Sequence, residues 1–206
     1  MKTTLFISMM ISFAAAQGPP ASDTRPVILA FGDSLSAGYG VPRGSGYPEQ
    51  LQRRLDERGY KYRVVNMGIS GDTTSGGRAR MKQALEAKPS IVILELGAND
   101  GLRGLPVKQT RENLELMITT FKQGNSTVIL AGMTLPRNYG NTYVSSFEDV
   151  FRDLAKKYNL PLIPFFLEGV AGQQNLTIGD FIHPNGEGYR IVTSTVMKTL
   201  EPLLNK

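Results

Sequence analysis

Five short apolar runs constrain this chain more than any other feature it has. They lie at 27–31 (VILAF), 62–67 (YRVVNM), 91–96 (IVILEL), 127–132 (TVILAG) and 162–166 (LIPFF). Their hydrophobicity is continuous rather than alternating, which marks strands covered on both faces. Between them the period changes to that of a helix. Leu114, Met117, Ile118 and Phe121 fall at i, i+3, i+4 and i+7, and so do Phe147, Val150, Phe151 and Leu154. A last helix is expected after HPNGEG, with Asn185 as its N-cap and Tyr189, Val192, Val196 and Leu200 on one face. Strict alternation of strands and helices implies a parallel sheet between two helical layers, joined by right-handed crossovers. The expected fold is a three-layer α/β/α sandwich with a five-stranded parallel sheet in the flavodoxin-like order 2-1-3-4-5. Such sheets bind ligands beyond the carboxyl ends of their strands, near the switch point between strands 1 and 3.

The 206 residues suit one domain with a real core, and no internal repeat suggests a second. The N-terminus reads separately. MKTTLFISMMISFAAAQGPP has Lys2 before an apolar stretch at 5–16 that ends in an A-x-A cleavage site, Ala14-Ala15-Ala16. A stretch of twelve residues is too short to span a bilayer. The expected organisation is therefore a signal peptide at 1–16, a linker at 17–25 and the folded domain at 26–206. Export to the periplasm or beyond follows, with the mature chain starting near Gln17 and no stable membrane anchor. The formal charge of +5 is spread without a run of five or six basic residues, so nucleic acid is not an expected partner. Absence of cysteine removes disulfides, thiol catalysis, lipoprotein-type lipidation and Cys-based zinc sites; a single histidine leaves only carboxylates to build a metal centre. No metal and no cofactor are expected.

The polar residues that remain of interest follow the strands. Ser34 comes after strand 1, Gly71 after strand 2, Asn99 after strand 3, and Asp180 with His183 in the loop after strand 5. Taken singly, Ser34 reads as a helix N-cap, Gly71 as a turn glycine and Asn99 as an Asx turn. Taken together they form a hydrolytic set. A free serine is a weak nucleophile and needs a base, for which His183 is the one imidazole. Asp180, three residues before it, is suited to orient that ring. The Gly71 N–H and the Asn99 amide are suited to stabilise an oxyanion. No G-x-S-x-G elbow, P-loop or G-x-G-x-x-G motif competes with this reading.

These blocks are where the chain resembles the SGNH, or GDSL, hydrolase superfamily. GDSLSAGYG, GISGDTTSGGRARM, LGANDGLRG and DFIHPNGEGY match its four blocks in order. The match extends over the folded domain and is similar to the bacterial secreted branch of arylesterases, acyl-CoA thioesterases and lysophospholipases, as are the connecting LAGMTLPRNYG and LIPFFLEGVAG. The resemblance implies that Ser34 is the nucleophile, His183 its base and Asp180 the partner of that base. It implies an oxyanion hole formed by Ser34, Gly71 and Asn99. One position departs from the branch: Phe181 stands where glycine is usual, which alters backbone freedom and leaving-group space beside the triad. The implied function is a secreted serine esterase acting on small-molecule esters or thioesters through an acyl-enzyme. The alternatives are an acetyl-carbohydrate esterase on the same scaffold and a non-catalytic lipid- or carbohydrate-binding module. The second would lack a triad member, whereas every member is present.

Overall fold

The computed structural model describes residues 23–205. The signal-peptide reading of 1–16 and the linker residues 17–22 lie outside the described residues. Five strands form the sheet: β1 Val27–Gly32, β2 Arg63–Asn66, β3 Pro89–Glu95, β4 Thr127–Ala131 and β5 Leu162–Ile163. Their order is β2-β1-β3-β4-β5 and every neighbouring pair is parallel. This is the expected order. Every residue of β1 is buried, as the continuous apolar run requires of an inner strand. β5 stops after two residues where the run suggested five. Pro164 has no N–H to continue the ladder, and Gly132 N–H and Phe166 N–H instead close the edge onto Ile163 and Gly132 carbonyls.

Eight α-helices connect and cover the strands among the described residues: α1 Ser34–Ala37, α2 Tyr47–Glu57, α3 Thr74–Ala79, α4 Met81–Glu86, α5 Ala98–Leu102, α6 Val107–Gln123, α7 Asn141–Tyr158 and α8 Gly186–Leu200. α2 packs on α8 and β2 on one side of the sheet, while α6 packs between α3 and α7 on the other. Each long helix buries the face its periodicity marks: Leu114, Met117, Ile118 and Phe121 in α6, Phe147, Val150, Phe151 and Leu154 in α7. The aromatic members interlock edge to face, Phe31 against Phe121 at 5.5 Å between centroids and Phe147 against Phe151 at 5.3 Å. Fully burying each such side chain is worth about 1.5–3 kcal/mol. Among the described residues no helix is long and apolar enough to cross a membrane.

This packing fixes the backbone up to the last residue of each strand and leaves the following loops to carry polar groups. Ser34 sits two residues past β1, Gly71 in the loop after β2, Asn99 in α5 just past β3, and Asp180 and His183 in the long connection between β5 and α8.

Candidate active site

The chain leaves β1 through a tight turn that sets Ser34 at the wall of a cavity. Asp33 caps α1, its Oδ1 accepting from Leu35 N–H at 3.0 Å, and Gly38 ends the helix at φ 76°. The turn is pressed against its neighbours. A Cβ on Gly32 would lie 2.1 Å from Ser36 Oγ and 2.3 Å from Glu95 Oε2; one on Gly68 would lie 2.2 Å from Ala37 N. Glycine at both positions is what lets the turn sit so deep. Ser34 itself is only 8% exposed, and its N–H, in the first turn of α1, has no intrahelical acceptor.

Across the site, Ser34 Oγ lies 2.9 Å from His183 Nε2, and His183 Nδ1 lies 2.5 Å from Asp180 Oδ2. A carboxylate at Nδ1 selects the tautomer with its proton there, which leaves Nε2 free to accept from Ser34. The other Asp180 oxygen accepts from the N–H groups of Ile182 at 3.0 Å and His183 at 2.9 Å. Partial burial pushes the Asp180 carboxyl up, but the bonds from the His183 ring and from those two N–H groups together hold it below its usual range. The loop that carries both residues is pinned at several points. Ile178 N–H bonds to His183 C=O, Gly172 N–H to Phe181 C=O, and Asn185 N–H to Leu176 C=O. The Tyr39 ring lies against the His183 ring with centroids 4.8 Å apart. Phe181 adopts the left-handed conformation at φ 63°, half its surface exposed.

The expected oxyanion donors are differently engaged. Gly71, at φ 80°, has an N–H without a protein acceptor among the described residues, and its carbonyl accepts from Arg103 Nη2 at 2.8 Å. The Asn99 amide nitrogen already donates to Asp33 Oδ2 and to the Asp72 carbonyl, each at 2.9 Å. Donation by Asn99 to an oxyanion therefore requires it to share or exchange one of these bonds. Burial pushes the Asp33 carboxyl up to about 6, against the bonds it receives from Leu35 N–H and Asn99.

A cavity of about 520 Å³ opens beside Ser34, His183 and Asn99. Leu102, Met133, Leu135, Phe165 and Leu167 give it apolar walls, and Phe181 stands at its side. Among the described residues no three His, Cys, Asp or Glu side chains are grouped to hold a metal ion. Several residues of the site escaped the sequence reading. Asp33 and Tyr39 belong to the first block but have no chemical motif of their own. Glu95 had a signal: it is the one charged residue inside the 91–96 apolar run.

Ser34, His183 and Asp180 meet past the strand ends beside an apolar cavity, an arrangement suited to serine hydrolysis. Residues 30–191 match the GDSL-like Lipase/Acylhydrolase family, and the chain belongs to that family. The chain is 44% identical to esterase TesA of Pseudomonas aeruginosa over 86% of its own length and 89% of the relative's. It is 38% identical to thioesterase 1/protease 1/lysophospholipase L1 of Escherichia coli, covering 96% of this chain and 90% of that one. The crystal structure of the esterase EstA from Pseudoalteromonas sp., inhibited by monoethylphosphonate, superposes with a TM-score of 0.82 at 33% identity, over 86% of this chain and 97% of that one.

Proposed function

We propose that the protein is an exported serine esterase that cleaves carboxylic esters or thioesters through a covalent acyl-enzyme. The observation that carries this reading is the contact of Ser34 Oγ with His183 Nε2 at 2.9 Å, with Asp180 at the far ring nitrogen at 2.5 Å. In the first half-reaction Ser34 Oγ attacks the substrate carbonyl carbon and His183 Nε2 takes the hydroxyl proton. The charge on the carbonyl oxygen is met by the N–H groups of Ser34 and Gly71 and by the Asn99 amide. Collapse breaks the bond to the leaving alcohol or thiol, which receives the proton from His183. A water molecule, deprotonated by the same ring, then attacks the Ser34 ester and releases the acid.

The relatives' names, esterase and thioesterase/lysophospholipase, support the reaction class, and phosphonate inhibition of a related esterase supports a nucleophilic serine. The apolar walls of the cavity suit an acyl chain or an aryl group better than a hydroxyl-rich sugar, which favours aryl esters, acyl-CoA and lysophospholipids over acetylated carbohydrate. Export rests on the 1–16 segment, and the N-terminal mass of the secreted protein should place its start near Gln17. The substrate reading is tested by rates over p-nitrophenyl esters of increasing chain length, with palmitoyl-CoA alongside. Turnover that increases beyond the acetyl ester and vanishes in Ser34→Ala is expected. Hydrolysis restricted to acetyl esters would instead favour the carbohydrate esterase.

A further inference from the structure

Behind Ser34 lies a carboxyl group that the hydrolytic cycle does not use. Glu95 ends β3 and is in register with Gly32 of β1, whose missing side chain leaves the space that the carboxyl occupies. It is completely buried. Its Oε2 accepts from Ser36 Oγ at 2.7 Å and from Asp33 N–H at 3.2 Å, one on each side of Ser34. Its Oε1 is buried without a partner.

The groups that face it supply no positive charge. Asp33 approaches from the nucleophile turn and feels His183 in turn. From α2 comes Tyr47, its hydroxyl 3.3 Å from Ser36 Oγ, with Glu49 acting on it from the same helix; from α8 comes Tyr189, whose buried hydroxyl has no partner. The Arg80 guanidinium is near but committed: it donates to the Gly32 carbonyl at 2.8 Å and pairs with Asp72 at 2.7 Å. Two buried carboxyl groups whose charges repel, with no cation paired to either, do not both ionise. The hydrogen bonds decide which one keeps the proton. Each accepts two bonds, but those to Asp33 engage both of its oxygens, from Leu35 N–H and the Asn99 amide, whereas Glu95 takes both at Oε2 and leaves Oε1 bare, so charge on Glu95 would be the less compensated. Burial first, and then the Asp33 charge, push the Glu95 carboxyl well above its usual range, against the bonds it accepts from Ser36 O–H and Asp33 N–H.

We propose that Glu95 is a positioning residue, a neutral carboxylic acid whose Oε2 clamps the turn on both sides of Ser34 through Ser36 O–H and Asp33 N–H. The assignment rests on Ser34 being the nucleophile. A neutral clamp holds the serine without adding a second negative charge where an oxyanion must form. It also has a consequence for stability. The unfolded chain ionises Glu95 in the usual range, while the folded chain keeps the proton. The folded state therefore binds more protons between those two values, and this contribution to stability is lost as pH rises through them.

The test compares the wild type with Glu95→Gln, a neutral isostere, and Glu95→Ala, measuring kcat and KM on a soluble p-nitrophenyl ester and Tm from mildly acidic to alkaline pH. Glu95→Gln should keep kcat within about threefold of wild type, whereas Glu95→Ala should lower it about tenfold or more with KM little changed. The Tm of the wild type should fall relative to that of Glu95→Gln as pH rises. A Gln variant as inactive as the Ala variant, or a Tm difference that stays flat across pH, overturns the proposal. If Glu95→Ala does not fold, the Gln variant and the Tm slope still decide. Ser34→Ala, assayed alongside, separates the two claims: full activity there sinks the serine mechanism, while the Tm slope needs no turnover.

Discussion

Asn99 commits its amide nitrogen to Asp33 and to the Asp72 carbonyl, which fixes the side chain in place, so that in the proposed mechanism it meets the oxyanion by sharing one of these two N–H groups. A side chain held this way needs little reorientation to meet charge as it develops, which is the property transition-state stabilisation uses. Asn99→Ala should accordingly lower kcat about 10²–10³-fold with KM little changed. Steady-state kinetics would contradict this if kcat were unchanged and KM raised. Phe181 is the second informative residue. A bulky side chain at φ 63° is strained, and this one stands at the wall of the cavity beside His183. Phe181→Gly should relieve the strain and widen the cavity, so that kcat/KM for the longest p-nitrophenyl ester accepted increases relative to the acetate by about threefold or more. An unchanged ratio would show that the ring does not restrict the substrate. At this scale the sequence revealed residue types but not their allegiance. Ser34 and His183 were legible, as hydroxyl and sole imidazole, whereas the bond from Asn99 to Asp33 depends on a rotamer that no spacing encodes.

Helix α8 shows how an element can hold a site it does not contain. Its N-cap, Asn185, accepts from the N–H groups of Glu187 and Gly188 through Oδ1, and its Nδ2 reaches back to the carbonyls of Asn175 and Thr177. One side chain thus starts the helix and closes the loop bearing Asp180 and His183. Asn185→Ala should cost about 1–2 kcal/mol in chemical denaturation, from the lost cap and the freed carbonyls. The same variant should lower kcat more than any surface change of equal stability cost; a loss of stability with full activity would show that the loop holds its own shape. The Asn185 cap was readable because Asn before an apolar-periodic stretch has a single mechanical meaning. Four strands were readable for a similar reason. β5 was overextended because Leu162 to Phe166 is apolar throughout and only Pro164 marks the break. Helices α3, α4 and α5 are under two turns long and therefore carry too little period to detect.

The whole molecule is a device for closing a distance. Ser34 and His183 are 149 residues apart in the chain and meet because a parallel sheet of order β2-β1-β3-β4-β5 delivers every strand end to one edge. The parallel sheet followed from the alternation of strands and helices, and its order from a count of five strands in the flavodoxin-like arrangement, so the position of the site was legible before any of its geometry. What the sequence could not convey is the shape of the cavity, which loops after β3, β4 and β5 build jointly from Leu102, Leu135 and Leu167 among others. The account stands or falls on one nucleophile at the end of β1. Treatment of the purified protein with a reactive alkyl phosphonate, followed by peptide mass spectrometry, tests it most directly. The account predicts a single phosphonyl adduct on Ser34, formed with loss of esterase activity and greatly slowed in His183→Ala. An adduct on Ser36, Ser70 or Ser75 instead, or full inactivation with Ser34 unmodified, would contradict it.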